Sequence, residues 1–72
     1  MRNEIPVSEM LDFLSEKWEY SHGLVKDFGA DDPRAEHNVM QCIGMKEMIE
    51  CLAGFPVGLG MDGVLRVGRE AL

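Results

Sequence analysis

Seventy-two residues with a net charge of −6 make one small domain whose own core is marginal. Thirteen acids against seven bases exclude free nucleic acid as an expected partner, and no apolar run approaches the length of a membrane span. Two cysteines allow one disulfide at most.

Residues 1–6 read as an extended lead-in, and their composition lacks the apolar core of a signal peptide. The expectation is a soluble, cytoplasmic chain. Ser8 is the expected N-cap of a first helix over residues 7–28, with Glu9 and Asp12 in its first turn. Val7, Leu11, Leu14, Trp18, Ser21, Val25 and Phe28 follow at alternating steps of four and three. That is a heptad seam interrupted once, at Ser21. A flanking row, Met10, Phe13, Lys17, Tyr20 and Leu24, widens the apolar side.

The stretch from Phe28 to Pro33 reads as one helix ending and another beginning. Gly29 suits a left-handed helix end. Asp32 suits an N-cap, and Pro33 the first helical position, where its missing N–H costs nothing. The second helix is expected over 33–53. Its seam is Ala35, Val39, Cys42, Met45, Ile49 and Leu52, and Met40, Ile43 and Met48 lie off it. Gly23 and Gly44 are each either a cost to their helix or a notch for close packing. Gly54-Phe55-Pro56 ends the second helix.

Residues 57–72 are Gly-rich. Asp62-Gly63 suggests a two-residue turn between Val57–Met61 and Val64–Val67. An extended arm and a short terminal helix are the alternatives. The expected fold is therefore all-α: an antiparallel two-helix hairpin followed by a Gly-rich arm or short β-hairpin.

Chemical motifs are few. His22 and His37 flank the turn, but no CxxC or HxxxH spacing accompanies them, so two polar histidines are the expectation, not a zinc site. Cys42 and Cys51 are nine residues apart, about 13.5 Å along one helix, too far for a disulfide. Cysteine as a small buried apolar residue is the ordinary role. Gly58, Gly60 and Gly63 match a dinucleotide-binding spacing, yet nine residues then remain, too few for a βαβ unit. No cofactor is expected, and no catalytic set is present to make an enzyme.

Two helices cannot bury Trp18, the other aromatics and both sides of the second helix. The expected function is a non-enzymatic protein–protein interaction or assembly module, with Trp18, Met40, Ile43, Met48, Phe55, Leu59, Val64 and Leu65 as its docking residues. The partner is another protein or a second copy. The alternative is a small intracellular inhibitor or adaptor that docks its acidic first helix (Glu9, Asp12, Glu16, Glu19) on a basic surface.

Trp18 in the first helix, the Asp32-Pro33 turn, the stretch Glu36–Leu52 and the Phe55-Pro56 close cover about two thirds of the chain. In this layout the chain resembles small acidic helical-hairpin proteins encoded by tailed bacteriophages. The resemblance implies a virion or morphogenesis accessory protein, repeated many times in a shell or tail. The tail from Val57 lies outside it.

Overall fold

A computed structural model describes residues 5–72. Residues 1–4 of the expected lead-in lie outside the described residues. Helix α1 spans Val7–Phe28 and α2 spans Pro33–Ala53, followed by strands β1 (Val57–Leu59) and β2 (Leu65–Val67) and a 3₁₀ turn, Gly68–Ala71.

The start of α1 differs from the expectation. Pro6, not Ser8, occupies the N-cap, and no side chain caps the helix. The Pro6 carbonyl accepts from Glu9 and Met10 N–H at 3.1 and 3.2 Å. A ring-fixed φ at Pro6 sets the chain entering the helix, so Ser8 falls inside the first turn. The end of α1 departs from the left-handed conformation expected at Gly29, whereas the start of α2 follows local chemistry. Gly29 has φ 92 and ψ 154, an extended positive-φ conformation outside the left-handed helical well. Asp32 caps α2 by accepting from Arg34 N–H at 2.9 Å, and Pro33 is its first residue.

The helices run in opposite directions. Met10 and Phe13, early in α1, lie beside Met45 and Met48, late in α2, and Val25 lies near Glu36 at the turn end. The buried seam is Leu14, Trp18 and Ser21 against Ala35, Cys42 and Ile49. Ser21 Oγ donates to Lys17 O at 2.8 Å and sits 3.5 Å from Cys42 Sγ. The interruption in the first seam is thus a satisfied, buried hydroxyl packed on a thiol. Two expected seam residues are exposed. Phe28 is 48 % exposed with the Arg34 guanidinium 3.8 Å over its ring. Leu52 is 62 % exposed, and Ala53 takes the inward place. A 3.6-residue helix drifts off a strict heptad seam toward its ends.

The all-α expectation is corrected by residues 57–72. β1 and β2 pair antiparallel, with Val57 opposite Val67 and Leu59 opposite Leu65. Val57 joins the buried cluster, and Phe55, Leu59 and Leu65 pack against it. The molecule is mainly helical with a small sheet completing one side of its core. The loop also differs from a two-residue turn. Gly60 N–H bonds Val64 O at 3.0 Å, and Gly63 N–H bonds Gly60 O at 3.0 Å, leaving Met61-Asp62-Gly63 as the loop. Asp62 sets this length: its carboxylate accepts from Val64 N–H at 3.2 Å and from Arg66 at 3.0 and 2.8 Å. Gly63 follows at φ 84, the usual last position of a three-residue hairpin loop.

Candidate functional site

Three side chains tie the β-hairpin to the helices. Trp18 Nε1–H donates to Gly60 O at 2.8 Å. His22 Nε2–H donates to Met61 O at 2.8 Å, which fixes the proton on that nitrogen. Glu50 Oε2 accepts Val57 N–H at 2.8 Å, while its other oxygen meets Lys46 Nζ at 3.1 Å. The Val57 N–H and then the Lys46 ammonium hold the Glu50 carboxyl below its ordinary value of 4.5. Arg66 and Val64 N–H likewise depress Asp62, and Arg34 depresses Asp32.

These ties decide which side of the helix pair is covered. The hairpin lies over the side that carries His22 on α1 and Lys46 and Glu50 on α2. The opposite side is open. There Ile5, Met10 and Phe13 face Met45, Met48 and Ile49 across an almost wholly apolar groove. It continues along Lys17, Gln41 and Gly44 toward the turn, and Lys17 Nζ reaches Asn38 Oδ1 at 3.4 Å. Phe13 is 60 % exposed and Met48 51 %. Lys17, Tyr20 and Leu24 succeed Phe13 at steps of four, three and four, so one row extends the apolar face along α1.

The eight expected docking residues are divided by this arrangement. Trp18 is only 8 % exposed and belongs to the core. Phe55, Leu59 and Leu65 pack against that core and are half-buried. These four sit in or against the core, because the tail folds back onto the pair. Met40, Ile43 and Val64 are exposed, but away from the open groove. Met40 lines a separate cleft with Trp18, His22, Val39 and Met61 beneath the hairpin loop. Of the eight, Met48 alone lines the open groove. Met10, Phe13 and Met45 were not among the expected residues. The signal for Met10 and Phe13 is the flanking row beside the heptad seam of α1, which one partner helix cannot cover, while Met45 belongs to the expected seam of α2.

Glu9, Asp12, Glu16 and Glu19 are all exposed, at helical spacing along the edge of α1 away from α2. The histidines serve structure: His37 Nε2 accepts from Gln41 Nε2 at 3.1 Å, and His22 anchors the hairpin. No group of three metal-binding side chains gathers among the described residues. Both cysteines are free, Cys42 buried and Cys51 exposed. Gly58, Gly60 and Gly63 belong to the β-hairpin, so their spacing does not introduce a helix N-terminus for phosphate. Among the described residues no helix is long and apolar enough to cross a membrane.

Comparison with protein-family models, with curated proteins and with solved structures returned no match.

Proposed function

We propose that this chain is a non-enzymatic protein–protein interaction or assembly module that works through the open face of its helix pair. The observation that carries this reading is the apolar groove of Met10, Phe13, Met45 and Met48 on the side the hairpin leaves bare. A face of this kind on a small water-exposed protein is ordinarily an interaction surface. Its methionines suit such a role because their unbranched chains adapt to a partner. The resemblance to phage-encoded helical hairpins supports placing the module in a virion or its assembly.

The test compares two double variants. Either the wild-type chain associates or, as a monomer, it binds an anilinonaphthalene sulfonate dye. That signal is lost in Phe13→Ser/Met48→Ser and kept in Met40→Ser/Met61→Ser, with helix content unchanged in both. A wild-type chain that neither associates nor binds dye overturns the reading. So does a signal that survives the first variant and disappears in the second.

The second reading is docking of the acidic α1 edge on a basic protein surface. The exposure of all four carboxylates favours it. Charge reversal at Glu16 and Glu19 then abolishes partner binding, and intact binding contradicts it.

A further inference from the structure

We infer that the occupant of the open face is a second copy of this chain, related by a two-fold axis along the helices so that α1 of each copy lies on α2 of the other. This rests on the open-face reading above. Area is the first argument. α1 has 22 residues, so it is about 33 Å long, and two adjacent helices are roughly 20 Å wide. The face offers about 650 Å² per copy, within the range of small specific interfaces at about 600–1,000 Å² per partner. A single helix or an extended peptide laid in the groove leaves most of it uncovered. A second helix pair covers it and completes a four-helix layer with every neighbour antiparallel.

Charge selects both the copy and its orientation. The outer edge of α1 carries Glu9 and Glu16 next to Phe13. The outer edge of α2 beside the groove carries Gln41 and Gly44, with the acids Glu36 and Glu47 set farther round the helix. Placing α1 on α1 brings the two acidic edges together, which like-charge repulsion opposes. Placing α1 on α2 sets each acidic edge against the less acidic groove margin of the other copy, at Gln41 and Gly44. The axis along the helices keeps heights equal, so Phe13 of one copy meets Met45 and Met48 of the other, and Gln41 stands near Glu16.

Sedimentation equilibrium and light scattering on the full chain test this. The expected mass is that of two chains. Phe13→Glu gives a monomer with unchanged helix content. Gln41→Lys tightens the dimer by about two- to fivefold and Gln41→Glu weakens it by a similar factor. A wild-type monomer that binds the apolar dye through Phe13 and Met48 overturns the second copy and leaves the interaction reading standing. A mass other than two chains, or a dimer indifferent to charge at Gln41, also overturns the inference.

Discussion

Trp18 is the residue on which the two parts of the molecule meet. It closes the helical seam with its ring and holds the hairpin through its indole N–H on Gly60 O. Trp18→Phe keeps an aromatic ring but removes that donor and some volume. The expected loss is roughly 1–3 kcal/mol of folding stability, read from urea unfolding by circular dichroism. Glu50 is the second anchor. Its carboxyl is depressed below 4.5 in the folded chain, so the unfolded chain takes up the proton more readily. Its contribution is complete above that value and is lost as pH falls below it, through the folded pKa. Asp32 and Asp62 are depressed in the same direction and add to this acid limb. Stability measured against pH is therefore expected to fall below about 4.5, and Glu50→Gln to lower the plateau and flatten the fall. An unchanged acid limb in that variant contradicts the anchoring role.

At the scale of elements, the helices and the hairpin depend on different kinds of information. Both helix spans agree with the periodicity of the sequence, and the ends of α2 follow from Asp32, Pro33 and Gly54, which act on their immediate neighbours, whereas Pro6 takes the place of the Ser8 cap expected for α1. The docking of the hairpin depends on bonds between residues 39 and 42 apart in sequence, which no local pattern announces. That single unknown also scattered the expected site. Without knowing which side the tail covers, Trp18 and Leu65 read as surface, and the row through Phe13 read only as a wider stripe. The glycines separate in the same way. Nothing lies within 4 Å of where a Cβ on Gly23 would sit, so it is a helix cost and not a notch. Gly23→Ala is expected to stabilise the chain by about 0.5–1 kcal/mol, measured by thermal melting. A Cβ on Gly63 would lie 2.9 Å from His22 Nδ1 at a positive φ. Gly63→Ala is expected to cost at least about 1 kcal/mol and to lift the hairpin. Trp18, the sole tryptophan, reports that lifting as a red-shifted emission; an unshifted spectrum contradicts it.

At the scale of the molecule, the Cα trace is a slab 15 Å in its thinnest direction. A slab so thin has one helix layer with a partial cover, and a layer architecture wants its apolar sides covered. The hairpin covers one side, with Val57, Leu59 and Leu65 entering the core. Phe13 and Met48 remain on the other. Net charge −6 keeps such a chain in solution and opposes indiscriminate clustering. The groove between Met10 and Met48 is lined by apolar side chains with Glu9 as its one charged residue. The methionines provide built-in reporters, since Met48 lines the open groove and Met61 stands 91 % exposed on the hairpin loop. Methyl-labelled methionine NMR with a soluble paramagnetic agent, followed over a concentration series, compares the two directly. The Met48 methyl is predicted to be shielded at high concentration and to bleach on dilution, while Met61 bleaches throughout. A Met48 methyl that bleaches as fully as Met61 at every concentration would contradict the assignment of the open helical face as the surface on which this chain assembles.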